Sequence, residues 1–272
     1  MRVSVIELWD MYGDILWEEG VHKTTCEAYV HEIEKICFQK QLKKFDDYFV
    51  DVIRAEFRKR GNKNSTINRK LACVGKLLRK HHKRGQLDRL PDLTKYPERN
   101  ARVRYLSPEE EAALFEVMDW QNPQYGQLCR FLVDSGARVG EAIGLKWTDV
   151  SDHQCIFWET KTNSPRTVPL TSAAMAAIES QRGTEPGGPF ASVRYCNFRN
   201  AWVRAKSRVG LADDTQVVPH ILRHTCASRL AQAGVDIKRI QEFLGHRTMT
   251  MTLRYAHLAP SHLDQCARAL ER

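Results

Sequence analysis

The sequence predicts a mostly α-helical protein with a small antiparallel β-sheet, divided into an all-helical first domain and a mixed α+β second domain. Three observations carry this expectation. Apolar residues recur at helical spacing through the first ~85 residues. Two short β-like runs occur together, on either side of residues 161–165, with helical patterns before and after them. Between the two regions, residues 89–104 place Pro91 and Pro97 among charged side chains with no apolar period, the composition of a linker. A chain of 272 residues is long enough for two domains, and a hydrophobic share of 42% is enough for a packed core in each.

In the first domain, residues 1–88, Val5, Leu8, Trp9 and Tyr12 keep a helical period, as do Tyr29, Ile33 and Ile36. Residues 45–58 supply a third pattern, and breaks fall near Gly20 and at 61–64. The fourth pattern carries Ile67, Leu71, Val74, Leu77 and Leu78 on one face, with Ser65 or Thr66 as its N-cap. Arg69, Lys70, Lys76, Arg79, Lys80 and Lys83 fill much of the remainder, giving a helix with a core face and an outward basic face.

The second domain, residues 105–272, opens on Ser107-Pro108-Glu109-Glu110, a cap followed by proline at the first position and acids in the first turn. Helices are expected over 126–135 and 138–147. The β-like runs 155–160 and 166–170 form a hairpin around 161–165. An Ala-rich helix at 171–181 is followed by a loop over 183–189, with three Gly and two Pro. Four more helices, around 195–209, 219–233, 236–245 and 248–257, precede a short tail.

Composition narrows the function. The formal charge is +9, distributed as −5 over residues 1–53, +13 over 54–104 and +1 over 105–272. A +13 block attracts a polyanion, and nucleic acid is the commonest large one. No apolar run approaches the ~18–20 residues that span a bilayer. Glu7, Asp10 and Asp14 break any signal-peptide pattern. The eight Cys lie singly, with no Cys-x-x-Cys, as expected of a reducing, cytoplasmic protein.

Several polar residues of the second domain stand where chemistry could use them. Ser135-Gly136-Ala137-Arg138 opens a helix with Glu141 one turn on, beside Arg138. His220 and Arg223 share a face at another helix start, where free N–H groups and the helix dipole suit a phosphate. Gly245 caps a helix ahead of His246, and Tyr255 follows nine residues later. Taken singly, these are a cap with its ion pair, a structural histidine and a core tyrosine. His220 and His224 have metal-ligand spacing, but Ile221 stands where a zinc protease needs Glu, so no metal is expected.

Taken in order, Arg138, Lys161, His220-x-x-Arg223, Leu244-Gly245-His246 and Tyr255 closely resemble the signature of the tyrosine recombinase (phage integrase) family. The text of residues 135–150 and the run Lys161-Thr162, Arg166, Val168-Pro169-Leu170 match as well. The resemblance is strong over 105–260 and looser over 1–90, where residues 65–71 are similar to the last helix of the family's SAM-like core-binding domain.

The resemblance implies a core-binding domain that grips DNA and a catalytic domain that cuts it. Tyr255 attacks the scissile phosphate to leave a 3′-phosphotyrosyl link, and Arg138 and Arg223 hold the non-bridging oxygens. His246 donates to the same phosphate, Lys161 protonates the leaving 5′-oxygen, His220 assists proton transfer at the tyrosine, and Glu141 orients its neighbours. No cofactor is implied. The implied partners are double-stranded attachment sites, three further copies of the chain in a tetramer on DNA, and a directionality factor or host DNA-bending protein. The implied setting is the cytoplasm of a bacterial host, at the nucleoid, with no membrane role. Integration and excision of a phage or mobile element is the favoured role; a dimer-resolving recombinase and a type IB topoisomerase-like enzyme are the alternatives. Nothing precedes the core-binding region, so no separate arm-site domain is expected. The tail from Leu258 onward could dock on a neighbour or on its own domain.

Overall fold

The computed structural model describes residues 3–98, 103–158, 165–183, 186–260 and 270. The chain divides into two compact units, residues 1–100 and 101–272.

The first unit holds four helices: α1 (Val5–Leu16), α2 (Val21–Gln39), α3 (Asp47–Lys59) and α4 (Asn64–Lys83). A capping box opens α1, where the Ser4 hydroxyl accepts from the Glu7 amide at 3.0 Å and the Glu7 carboxylate accepts from the Ser4 amide at 2.6 Å. The apolar faces converge on one core, with Leu8, Val30, Ile33, Ile53, Phe57, Val74 and Leu77 buried. Within it, the Tyr12 hydroxyl and His81 Nδ1 satisfy each other at 3.0 Å.

Two local expectations are corrected here. The helix α4 starts at Asn64 with Lys63 as N-cap and no side-chain cap bond, so neither Ser65 nor Thr66 caps it. The Asn64 side chain instead donates to the Pro97 carbonyl at 3.0 Å. Nor is the expected linker free along its length, because residues up to Pro97 lie on the first unit. Leu87, Leu90, Leu93 and Tyr96 recur every third residue and pack against its core. That three-residue period is one that a search for helical or strand periods passes over. Asn68 donates to the Tyr96 carbonyl and accepts from its amide, both at 2.9 Å. The Tyr96 ring also carries the guanidiniums of Arg54 and Arg58, at 5.1 and 4.2 Å from its centroid.

The second unit begins with α5 (Pro108–Gln121), α6 (Pro123–Ser135) and the short α7 (Val139–Ile143). The start of α5 is as predicted, with Ser107 and Glu110 completing a capping box and Pro108 at the first position. A 3-10 turn at Trp147–Asp149 leads into β1 (Val150–Ser151), β2 (Gln154–Phe157) and β3 (Arg166–Pro169). Both strand pairs are antiparallel, with Val150 opposite Cys155 and Cys155 opposite Val168. The sequence showed no sign of β1, which is only two residues long. Then come α8 (Ser172–Glu179), α9 (Tyr195–Arg208), α10 (Ile221–Gln232), α11 (Ile237–Leu244) and α12 (Met249–Leu253).

The main core of this unit joins Leu128, Phe131 and Leu132 of α6 to Cys155, Phe157 and Val168 of the sheet. Trp202 of α9 and Leu222 of α10 close it, and the Trp202 indole N–H donates to the Val217 carbonyl at 3.1 Å. A smaller cluster of Cys226, Ala227, Ile240, Leu244 and Tyr255 packs α10 against α11 and the segment beyond it. The helix expected over 248–257 is interrupted: α12 ends at Leu253, and Tyr255 precedes a separate 3-10 turn, Ala256–Leu258. The hairpin tip with Lys161, and residues 261–269 and 271–272 of the tail, lie outside the described residues. Among the described residues, no helix is long and apolar enough to cross a membrane.

Candidate active site

Arg138 is the N-cap of α7, and Glu141 sits one turn into that helix. The Glu141 carboxylate serves as a shared anchor. It accepts from the Arg138 amide at 2.8 Å and from Arg138 Nη1 at 2.5 Å. It also accepts from both terminal nitrogens of Arg166, at 3.1 and 2.6 Å, a two-pronged contact from β3. Burial alone would raise the Glu141 carboxyl, but the bonds and charge of Arg166, then those of Arg138, outweigh it and hold the group at about 2. Arg166 lies over the Phe157 ring at 4.7 Å, and among the described residues its Nε has no hydrogen-bond partner.

Arg223 projects from the first turns of α10 and is 2% exposed. Its two terminal nitrogens donate to the carbonyls of Gly136 and Leu244, at 2.6 and 2.5 Å. Gly136 and Gly245 both adopt left-handed backbone at the ends of α6 and α11, which turns those helix ends toward the guanidinium. Gly245 is needed for space as well, because a Cβ there would stand 2.8 Å from the Arg166 side chain. Burial and the charges of Arg138 and Arg166 lower Arg223 to about 9. Such crowding of like charge is relieved by an anion bound among the guanidiniums.

The remaining candidates form an aromatic group. Tyr255 is 1% exposed, and its ring lies nearly parallel to that of His246, with centroids 6.4 Å apart. Nδ1 of His246 contacts the Thr252 hydroxyl at 2.8 Å. Burial, followed by the charges of Arg223 and Arg138, lowers His246 to about 3. His220 is lowered as well, by partial burial and then by Arg223 and Arg138. The fields of both arginines therefore reach both imidazoles.

Burial raises the Tyr255 phenol and outweighs the pull of Arg254 and Arg223 toward the ionised form. The imidazole in contact with the hydroxyl is that of His224, whose Nδ1 is 2.6 Å from Tyr255 Oη, rather than that of His220. His220 presents its ring edge-on to His224, with centroids 4.9 Å apart. His224 entered the sequence reading only as a discarded metal ligand, and among the described residues no cluster of three or more His, Cys, Asp or Glu could hold a metal ion.

The basic helix of the first unit is also revised. Lys70 is turned inward, with its ammonium 2.6 Å from Glu32 and 4.1 Å from the Phe57 ring centroid, and this takes it out of the outward set. Lys76 donates to the Leu16 carbonyl at the negative end of α1 and lies over the Trp17 ring. Arg69, Arg79 and Lys83 are exposed and Lys80 is half-buried; none of the four has an ion-pair partner among the described residues.

Fold and signature together define a class, and the comparison with known sequences agrees. Residues 104–262 match the Phage integrase family, to which this chain therefore belongs. The integrase of Haemophilus phage HP1 is 32% identical over 234 residues, covering 82% of this chain and 66% of the relative. The tyrosine recombinase XerC of Pelobacter propionicus is 29% identical, covering 74% of this chain and 71% of the relative. The chain spans between about half and two thirds of the length of the first phage integrases it matches. Among solved structures, the catalytic domain of the bacteriophage HP1 integrase aligns with TM-score 0.51 and 33% identity, over 61% of this chain and 94% of that one. A lambda integrase dimer bound to a core site aligns at TM-score 0.78 and 18% identity, over 92% and 97%, a likeness of fold.

Proposed function

We propose that the protein is a site-specific DNA recombinase that integrates and excises a phage or mobile element through a 3′-phosphotyrosyl intermediate. The observation that carries this reading is the burial of the Tyr255 hydroxyl beside His224, close enough to Arg223 for their charges to interact, with His246 stacked on the ring. A phenol so placed has one evident electrophile, a phosphodiester drawn into the arginine cluster.

Arg138 and Arg223 would take the non-bridging oxygens and stabilise the charge that develops on them. Glu141 and the backbone carbonyls fix those guanidiniums before substrate arrives, so little ordering remains to be done in the transition state. His246 would donate to the same phosphate. Lys161, which lies outside the described residues, is assigned by its motif to protonate the leaving 5′-oxygen. Attack by a partner strand's 5′-hydroxyl on the phosphotyrosine then reseals the backbone. The substrate would be a pair of double-stranded attachment sites held by four protomers. A lambda integrase tetramer bound to a Holliday junction, among the structural neighbours, supports that reading. A directionality factor or host DNA-bending protein would set the sense of the reaction.

A covalent trap tests the proposal. The protein is mixed with fragmented host and element DNA and quenched with detergent, and protein-linked fragments are sequenced beside a Tyr255→Phe control. One or two recurrent sites with inverted half-sites are expected, with Tyr255→Phe forming no adduct yet binding DNA nearly as tightly. Scattered adducts would indicate a topoisomerase-like enzyme. No adduct at all would sink the reading.

A further inference from the structure

We infer that His224 is the group that receives the proton of Tyr255 when the phenol attacks phosphorus, an inference that rests on the recombinase reading above. The geometry carries it: Nδ1 of His224 lies 2.6 Å from Tyr255 Oη, one full turn along α10 from His220. This is the one imidazole contact to that hydroxyl among the described residues, and it lies within the reach required of a base. The phenol cannot shed its proton to bulk water, because Tyr255 is 1% exposed.

As the Oη–P bond forms, the O–H bond breaks and its proton passes to Nδ1, leaving His224 as imidazolium. The P–O5′ bond breaks, and the leaving oxygen takes its proton from the general acid assigned to Lys161. On resealing, the 5′-hydroxyl returns its proton to Lys161 as it attacks phosphorus, the Oη–P bond breaks, and the departing Oη recovers its proton from His224. No oxidant, reductant or further reactant is needed.

The groups facing His224 are His220 and Arg223 on its own helix, Arg254 and Tyr255 from the segment beyond α12, and His246 from the turn after α11. Burial, then His220 and the two arginines, lowers His224 to about 4, so at neutral pH the ring is uncharged, and in the tautomer with Nδ1 unprotonated it accepts from the Tyr255 hydroxyl. A phosphate on Arg223 would offset part of that positive field and make the ring more basic as DNA binds. His220 packs against the His224 ring in a T-shaped contact, with centroids 4.9 Å apart.

Two measurements test the inference. In nitrogen NMR of the free protein with labelled histidine, one Nδ1 should be of the unprotonated, hydrogen-bonded type. Its signal should vanish in His224→Gln and shift in Tyr255→Phe. A protonated Nδ1 at His224 would overturn the inference without any DNA. With the fragments recovered from the covalent trap, His224→Gln should slow adduct formation by about 10²-fold or more at unchanged DNA affinity. The variant's rate should climb as pH rises into the range where the phenol ionises by itself.

Replacing the bridging 5′-oxygen with sulfur, which leaves without a proton donor, should not restore the variant. Rescue by sulfur would assign His224 to the leaving group, and an undiminished or faster rate would make its bond to Tyr255 a restraint; either result refutes the inference. A wild-type chain that forms no adduct fails earlier, at the recombinase reading itself.

Discussion

Glu141 shows how one carboxylate can organise two cations. Its folded carboxyl sits at about 2, below the ordinary 4.5, so the stabilisation it brings is fully present above about pH 4.5 and is lost as pH falls toward 2. A difference of that size corresponds to a contribution on the order of 3 kcal/mol. Glu141→Gln should therefore lower the denaturation midpoint at pH 7 and flatten the acid limb between pH 4.5 and 2; an unchanged acid limb would remove Glu141 from its anchoring role. Residue by residue, much of this site was legible in the sequence. Arg138, His220, Arg223, His246 and Tyr255 stand out by order and spacing, and the structure brings them within reach of one another's charge. Two further residues of the site were not given a role: Arg166 was quoted only as part of a matching run, and His224 was considered only as a metal ligand. The use of either depends on which nitrogen faces which oxygen, and that is decided by packing between segments far apart in the chain.

At the level of elements, the turn that ends α11 carries a double constraint. Gly245 has φ +66°, and a Cβ at that position would press on the Arg166 side chain. Gly245→Ala should cost at least about 1–2 kcal/mol from the left-handed backbone alone. Urea denaturation would read this directly, and a loss below that range would mean the turn relaxes. The helix α4 separates two roles that composition had merged. If its outward cations meet phosphates, Arg79→Ala with Lys80→Ala should weaken DNA binding and reduce the salt slope by roughly two. Lys70→Ala should leave that slope alone and lower the unfolding midpoint of the first unit, because Lys70 pairs with Glu32 inside it. Helix existence was legible from the apolar period, whereas the docked segment through Tyr96 was not, since its three-residue period matches neither template.

At the scale of the whole molecule, the +13 block is only in part an electrostatic surface. Arg54 and Arg58 hold Tyr96, Arg60 and Lys70 pair with Glu32, Arg89 pairs with Asp47, and Arg104 pairs with Glu110 and Asp214. Counting charges along the sequence overstates what is left for a polyanion, because folding commits many of these cations to internal partners. The core of the first unit is drawn from residues 3–96 and those of the second from residues 103–258. Expressed alone, residues 1–98 should thus unfold cooperatively on heating, followed by circular dichroism; a featureless melt would show that the unit depends on the rest of the chain.

Arg223 makes it hard for this chain to decay gracefully. The side chain proposed to hold the phosphate also ties the end of α6 to the end of α11 through the Gly136 and Leu244 carbonyls. A copy of the gene released from selection for the proposed activity could lose the Tyr255 hydroxyl and still fold. Losing Arg223 would strand two buried carbonyls and loosen the architecture. Degenerate descendants should therefore shed the Tyr255 hydroxyl first and keep this arginine, preserved by its second employment as a tie between two helix ends.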